Sequence, residues 1–359
     1  MGAVRRLIGF LLVVACGWLV AHFGHFPSLD HSPGYAYAVT ALLGFGLYAA
    51  TSGIDLTEFR SQLGTVSAAI TVGVLAKTAL ITGVLYLVLH SPVAIVLGIA
   101  MAQIDPLSVS AMIGRSGLSP AGKSLLTAWA SFDDPITVLL TAYAATFVFA
   151  GASSGSDTTS LLVNLGGSIG IAALALLLTR LRLPAWTRFL GVPLTIAVGA
   201  VAVWQSWLLG LALIGLFHRP RWLTQYLAGG TRIVYYAACF AMGFVLVGGA
   251  RIGPGLLLGV ATYGSQLVAA FALTVRKRWR GDRMRLALGQ QNGLTAITLA
   301  LLLEPVFPGA TATIGVAVVV VSVLNVTGNA IWDHATAPAK PPAPVPVPVR
   351  AVSAPAASQ

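Results

Sequence analysis

The chain has 359 residues, of which 57% are hydrophobic and only 9% are charged. A soluble domain carries about 25% charged residues, so this composition excludes an ordinary water-soluble protein. The mean hydropathy is +0.87, and apolar runs long enough to cross a bilayer recur along the whole length. We therefore expect an all-α polytopic membrane protein without a separate soluble domain.

The basic residues lie between the apolar runs rather than in one patch. The formal net charge is +11 at pH 7, which in a soluble chain would suggest nucleic acid as a partner. Lys and Arg that flank membrane spans instead set the orientation of those spans, so we expect membrane lipid as the partner and no nucleic acid. Cys16 and Cys239 fall in apolar runs of different spans, where we expect small buried thiols and no disulfide.

The apolar runs predict twelve membrane-spanning helices. The first run follows Arg5 and Arg6 as in a signal peptide, but no small-x-small cleavage site follows it, so we keep it as a span. Trp204-Gln205-Ser206 is the predicted turn between the seventh and eighth spans. The predicted spans are residues 7–23, 35–53, 65–89, 93–113, 122–150, 160–180, 188–203, 205–217, 231–250, 253–275, 285–304 and 308–331.

The positions of Lys and Arg predict the orientation of these spans. With both termini in the cytoplasm, nearly all of the 21 basic residues lie inside, and Arg251 and Lys77 are the exceptions. The basic loop at residues 276–285 is then cytoplasmic and is expected to contact anionic lipid. Residues 1–334 form the predicted transmembrane domain, and the Pro- and Ala-rich residues 335–359 form a predicted disordered tail.

Polar residues interrupt two of the spans. Gln103-Ile104-Asp105-Pro106 lies in the fourth span, and Gly289-Gln290-Gln291-Asn292-Gly293 lies in the eleventh. Paired interruptions in corresponding places of two halves indicate a transporter site near the membrane midplane. The third to fifth and the tenth to twelfth spans run in opposite directions, which predicts inverted repeats. We expect these core helices at about 65–150 and 253–331, and scaffold helices at about 7–53 and 160–250.

Two adjacent aspartates lie in the fifth span. Asp133-Asp134-Pro135 falls in the apolar stretch 125–150, which holds no other formal charge. Carboxylates at membrane depth are costly and usually serve an ion pathway. Adjacent helical positions point about 100° apart, so the two carboxylates face different neighbours, and Pro135 is expected to kink the helix. We predict that this pair binds an ion, and the alternative is a pair that caps a helix end in interfacial water.

Two further charged residues are predicted near the pair. Lys77 lies in the middle of the predicted third span, without an interface within reach, so it should sit neutral or pair with a carboxylate, and Asp133 is the natural partner. The alternative is a misjudged span boundary that places Lys77 near water. Asp105 before Pro106 is a typical helix start and is expected to cap the second half of the fourth span. Spacings typical of metal sites, phosphate loops or nucleophile elbows are absent from the sequence, so we expect no cofactor and no enzyme activity.

The order of these features resembles the monovalent cation/proton antiporter superfamily of sodium/proton and potassium/proton exchangers. The resemblance covers about residues 40–330. It rests on the order and spacing of four stretches together, which are residues 46–56, 98–106, 131–135 and 292–297. It implies about twelve spans, inverted repeats and two broken helices that cross. It also implies a bacterial inner-membrane protein and, by analogy, a homodimer.

The resemblance assigns different roles to the two aspartates. By position, Asp134 matches the carboxylate that binds the transported monovalent cation and the proton in these exchangers. Asp133 matches a position that is Asp in electrogenic members, which implies two protons exchanged for one cation. The residues predicted to support the pair are Gln103, Asp105, Pro106, Lys77, Asn292, Gly293 and Thr295.

The sequence departs from the family pattern at three places. Ile104 replaces the Thr before Asp-Pro, and Asn292 replaces the Arg of the second broken helix. The lysine that electrogenic members carry in the tenth span is absent from residues 255–275, where Ser265 and Gln266 are the nearest polar residues. Lys77 occupies the inverted-repeat counterpart of that place, so we hypothesise that the lysine has moved to the other repeat.

We therefore predict a secondary antiporter that exchanges a monovalent cation, Na⁺ first and Li⁺ or K⁺ next, for protons. One alternative is a symporter or uniporter for an organic anion with a related fold, which two carboxylates in the site disfavour. Another is an intramembrane enzyme that uses two aspartates, which their adjacency disfavours. A third is a non-transporting sensor with a degraded site, which the missing Arg and Lys leave open.

Overall fold

The computed structural model describes residues 3–24, 32–54, 63–114, 117–149, 156–180, 188–219 and 221–336. All regular structure in these ranges is helical, and they contain no strand. The predicted tail, residues 335–359, lies outside the described residues except for Ala335 and Thr336. The described chain is therefore an all-α polytopic membrane protein, as the composition predicts.

Each of the twelve predicted spans corresponds to a helix or to a pair of shorter helices. The helices are α1 Ala3–Gly24, α2 Pro33–Ser52, α3 Leu63–Ala68, α4 Val74–Leu89, α5 Val93–Met101, α6 Pro106–Ile113, α7 Pro120–Phe149, α8 Ser156–Arg180, α9 Arg188–Trp204, α10 Leu208–Phe217, α11 Arg221–Val245, α12 Ile252–Leu273, α13 Arg283–Ala287, α14 Leu294–Leu303 and α15 Ala310–Ala335. A π-helical segment, Ala69–Gly73, joins α3 to α4. Short 3₁₀ turns follow α11 and precede α13.

The two predicted interruptions are present as breaks in the helices. The fourth span consists of α5 and α6, with 9 and 8 residues, and the eleventh contains α13 and α14, with 5 and 10 residues. None of these four can cross a ~30 Å hydrocarbon layer alone. By length and composition alone, the helices of the described chain that can cross a membrane are Val4–Gly24, Thr71–Leu89, Gln225–Gly248, Ile252–Leu273 and Ala310–Ala335.

The structure corrects two expectations from the sequence. The ninth span was predicted to start at residue 231, but α11 begins ten residues earlier, at Arg221. The Arg, Gln and Thr residues of that first part lowered the apolar signal although they are compatible with a helix. Cys16 is exposed on α1, whereas Cys239 is buried, and both thiols are free. An exposed thiol on an apolar helix faces lipid in a membrane protein, so its apolar neighbours do not indicate burial in protein.

The helices pack in two groups that meet around the broken spans. In one group, α1 lies along α11, and α10 lies between α2 and α8. In the other, α12 packs on α4 and α15, and α5 packs on α4 and α7. The half-helix α14 contacts both groups, because it packs against α2 and α11 as well as α15. Nine of its ten residues are buried, so this helix lies at the centre of the protein.

Two glycines bring α1 and α11 into close contact. A Cβ atom at Gly17 would clash with the Phe240 carbonyl, and one at Gly243 would clash with the Val14 carbonyl. Small residues allow membrane helices to approach closely, and the gain is van der Waals contact between the backbones. The pair of reciprocal contacts therefore fixes how these two long helices cross.

We expect Gly243→Ala to lower the free energy of unfolding by about 1–3 kcal/mol, because the added methyl group forces two backbones apart. Gly83→Ala on α4 is the matched control, since a Cβ there meets no atom within 4 Å. Thermal unfolding of the purified protein in detergent measures both. Equal stability of the two variants would show that α1 and α11 do not need this contact.

Candidate ion-binding site

The long helix α7 carries the two aspartates into the interior. Asp133 is 0% exposed and Asp134 is 2% exposed. Pro135 follows them inside α7, which continues to Phe149. A proline cannot donate a backbone hydrogen bond, so the carbonyl four residues before it has no helical partner. The predicted kink at Pro135 stays a prediction.

Lys77 and Asp133 form a buried ion pair. The Lys77 Nζ atom on α4 lies 3.2 Å from Asp133 Oδ2, and both side chains are 0% exposed. The ammonium also lies 5.8 Å from the centre of the Trp129 ring, within the range of a cation–π contact. The structure thus contains the pairing predicted for the mid-span lysine. In the tenth span, Gln266 donates to the Leu286 carbonyl at 3.2 Å rather than to an aspartate.

Asp134 has a different environment. Its Oδ2 atom accepts a 2.8 Å hydrogen bond from the Thr295 hydroxyl on α14. In the described part of the chain, no Lys or Arg lies within ion-pair distance of its carboxylate. Its Oδ1 atom is buried and has no hydrogen-bond partner there, like Asp133 Oδ1 and Gln290 Oε1. The site thus has three acceptor oxygens without donors, and two of them belong to carboxylates.

The two broken spans cross through backbone and amide hydrogen bonds. The Asp105 amide donates to the Gln291 carbonyl at 2.8 Å. From the other break, the Gln290 side chain donates to the Gln103 carbonyl at 2.7 Å. Asn292 donates to the Met101 and Gln103 carbonyls, at 3.0 and 3.2 Å. These carbonyls lack helical partners because the helix ends there, so the side-chain amides of one break satisfy the backbone of the other.

Asp105 caps the half-helix α6 as predicted. Its Oδ2 atom accepts a 2.9 Å hydrogen bond from the Ser108 amide, and Pro106 is the first helical residue. Gly293 of the other break lies directly against the Asp105 carboxylate, and a Cβ atom there would clash with it. The close approach of the two breaks therefore leaves no room for a side chain at position 293.

Three residues of the site were not predicted as such from the sequence. Asn325 on α15 donates to the carbonyls of Leu288 and Gln290, at 2.7 and 3.1 Å, and accepts a 2.5 Å bond from Gln291. The Thr137 hydroxyl lies 3.4 Å from the Gln103 side-chain oxygen, and it also bonds the Asp133 and Asp134 carbonyls. Gln290 was seen only as part of a break. The sequence could have pointed to Asn325, because a single amide in a Val-rich span usually has a structural or functional role at membrane depth.

The site has no arrangement typical of a resident metal. No group of three or more His, Cys, Asp or Glu side chains within the described ranges has the geometry to hold a metal ion. Two carboxylates, amide oxygens and backbone carbonyls form a donor set that suits a hard cation.

Comparisons with known proteins identify the fold. No family model and no curated protein sequence matches the chain. The structure is similar to that of the sodium proton antiporter MjNhaP1 from Methanocaldococcus jannaschii at pH 8, with a TM-score of 0.66 and 16% sequence identity. The match covers 92% of this chain and 99% of that chain. The chain therefore has the sodium/proton antiporter fold.

A second structure of the same archaeal antiporter, obtained by electron microscopy, matches with a TM-score of 0.59 and 16% identity. It covers 90% of this chain and 88% of that chain. The fold predicted from the resemblance to monovalent cation/proton antiporters is thus confirmed.

We expect Asn325→Ala to lower the free energy of unfolding by about 1–3 kcal/mol, because the buried Gln290 carbonyl loses its side-chain donor and the Gln291 amide loses its acceptor. The Leu288 carbonyl keeps one donor, Asn329. Thr327→Ala on the same helix is the control, since that hydroxyl is exposed and bonds only carbonyls of its own helix. Thermal unfolding in detergent compares the two. A loss for Thr327→Ala as large as that for Asn325→Ala would contradict a specific role for Asn325.

Proposed function

We propose that the protein is a secondary antiporter that exchanges a monovalent cation for protons across the membrane by alternating access. The observation that carries the proposal is the difference between two adjacent buried carboxylates. Asp133 faces the ammonium of Lys77 at 3.2 Å, whereas Asp134 faces the neutral hydroxyl of Thr295 at 2.8 Å. A buried carboxylate without a cationic partner is stable when it holds a proton or a cation. Asp134 is therefore the group on which the two compete.

The transported cation would bind at the crossing of the two broken spans. Asp134 Oδ1, Asp133 Oδ1 and Gln290 Oε1 are buried acceptors that lack donors in the described chain. Oxygen ligands of this kind suit Na⁺, Li⁺ and K⁺, and the neutral amides add ligands without raising the net charge. We place Na⁺ first because the protein that shares the fold is described as a sodium proton antiporter.

Lys77 would set the number of protons exchanged. With no cation bound, Lys77 is charged and pairs with Asp133, while Asp134 holds a proton. When a cation binds both carboxylates, Asp134 releases its proton and Lys77 loses its partner. A lysine in the membrane interior without a counter-charge is costly, so Lys77 releases a second proton. Two protons then leave for one cation, and the exchange moves net charge.

Alternating access requires that one group of helices moves against the other. We assign α3 to α7 and α12 to α15 to a moving core, because they contain the aspartates and both breaks. We assign α1, α2 and α8 to α11 to a scaffold, because they pack mainly on one another. A cation or a proton at Asp134 compensates the charge of that carboxylate, and an uncompensated carboxylate would oppose passage of the site past the scaffold.

The same proposal includes the location in the cell. We propose a bacterial inner-membrane protein with both termini in the cytoplasm, and the support is the distribution of Lys and Arg between spans. Four exposed basic residues stand beside the buried Trp279 in the predicted cytoplasmic loop, where anionic lipid would contact them. The homodimer implied by the resemblance stays a prediction.

We expect Asp134→Asn to reduce cation/proton exchange at least ~100-fold, to the background of empty liposomes, because an amide neither binds a proton nor compensates a cation. Asp282→Asn is the matched control, because Asp282 is also a buried aspartate but bonds the Ser119 amide at the start of α7. The assay is cation-induced pH change in proteoliposomes with Na⁺, K⁺ and Li⁺ in turn. Exchange by Asp134→Asn at the wild-type rate, or none by the folded wild type with any cation, would refute the proposal.

We expect Lys77→Ala to lower the free energy of unfolding by about 3–5 kcal/mol, because it leaves Asp133 buried without its counter-charge. The double variant Lys77→Ala with Asp133→Asn removes both charges and should recover most of that stability. It should also exchange one proton for one cation, since Asp134 is then the single titrating group. Exchange rates measured with and without an imposed membrane potential test this. A double variant as sensitive to the potential as the wild type would exclude the proposed role of Lys77.

A further inference from the structure

A basic residue from another helix reaches the crossing of the broken spans. Arg6 lies near the start of α1, and its Nη1 atom donates to the Ser108 hydroxyl on α6 at 3.1 Å. The same hydroxyl donates to Asp105 Oδ2 at 2.5 Å. Two hydrogen bonds thus connect a guanidinium on α1 to the carboxylate that caps α6. Arg5, the neighbouring residue on α1, is exposed.

The carboxylate at the end of this connection is part of the ion site. Asp105 is 5% exposed, caps α6 and lies against Gly293 in the opposite break. It also interacts electrostatically with Asp134. A displacement of Asp105 would therefore alter both the crossing of the two breaks and the surroundings of Asp134.

The connection lies where the two helix groups meet. The Tyr235 side chain on α11 lies near both Arg6 and Asp105. Since α1 packs along α11, Arg6 belongs to the scaffold that we assigned, and Ser108 belongs to the core. If the core slides against the scaffold during the cycle, a hydrogen bond between the two forms in one conformation and breaks in the other.

We propose that Arg6 is a positioning residue of the ion site, which acts through Ser108 to hold Asp105 in the conformation described here. The inference rests on the proposed function, because it gives Arg6 a task in the exchange cycle. Arg6 touches neither the cation nor Asp134. Its contact fixes the crossing of the two breaks while the cation binds, and it is broken when the core moves against the scaffold.

The first experiment compares Arg6→Ala, Ser108→Ala and the double variant in proteoliposomes, with Arg5→Ala as the matched control. Each single variant is expected to raise the KM for Na⁺ roughly tenfold, the change expected from losing one charge-assisted hydrogen bond. The double variant should have a KM for Na⁺ no higher than that of either single variant, because each single substitution already removes the same connection. Arg6→Lys, which keeps the charge and a donor, should fall between Arg6→Ala and the wild type. The maximal rates of all these variants should stay within twofold of the wild type. The KM of Arg5→Ala should also stay within twofold.

The pattern of KM values separates a positioning role from an electrostatic one. If Arg6 acted through its charge alone, Arg6→Ala would lower the KM for Na⁺, because less positive charge near the site favours a cation, and Ser108→Ala would have no effect. That pattern, or additive effects of the two substitutions, would overturn the inference. Should Arg6→Ala not fold, the milder Ser108→Ala still gives the comparison with Arg5→Ala. A wild type without exchange refutes the proposed function, whereas an active wild type whose Arg6→Ala variant matches Arg5→Ala refutes the inference alone.

The second experiment tests whether the contact must break. Arg6→Cys and Ser108→Cys are introduced together into a chain that carries Cys16→Ser and Cys239→Ala, and they are joined with a short, reducible bifunctional thiol reagent. Crosslinking is expected to stop exchange, and reduction should restore it in the same sample. Full exchange by the crosslinked protein would show that α1 and α6 do not separate during the cycle and would overturn the inference.

Discussion

The fold depends on how carboxylates are kept stable where water does not reach them. Asp133, Asp134 and Asp105 are all buried in one region, and each has a different partner. Lys77 forms an ion pair with Asp133, and the Thr295 hydroxyl donates to Asp134. Ser108 connects Asp105 to Arg6. Isolated charges at this depth are expensive. The difference between the three environments leaves Asp134 as the carboxylate that needs a proton or a cation.

The breaks in two spans supply the frame around these charges. A broken helix in a membrane exposes carbonyls and amides that lipid cannot satisfy. Here Gln290, Asn292 and Asn325 donate to those carbonyls, and Gly293 allows the two breaks to touch. Because these donors are neutral amides, they add no fixed positive charge beside Asp134, and the Gln290 side-chain oxygen remains available to the proposed cation. The same amides make the crossing specific, since each donor has a defined acceptor.

Much of the architecture was predictable because a helix that crosses a membrane must be apolar over most of its length. Long apolar runs predicted the helices, and polar residues inside two of them predicted the breaks. The pairing of Lys77 with Asp133 followed from the same cost of isolated charge. Asn325 and Thr137 were missed, since a single amide or hydroxyl in an apolar run has no partner that can be read from spacing. The start of α11 was missed because its first residues are compatible with a helix without being apolar.

The sequence by itself determined the class of the protein and the places where spans break. It also determined which charged residues need a partner or a function, because burying an isolated charge costs free energy. These properties depend on transfer of side chains from water to lipid, which is a local quantity. Tertiary structure alone decided that Thr295 contacts Asp134, which carbonyls the amides satisfy and that Arg6 reaches Ser108 from another helix. Such contacts join residues far apart in the chain, for example Arg6 with Ser108 or Asp134 with Thr295. They are settled by how helices pack, which no single stretch of sequence encodes.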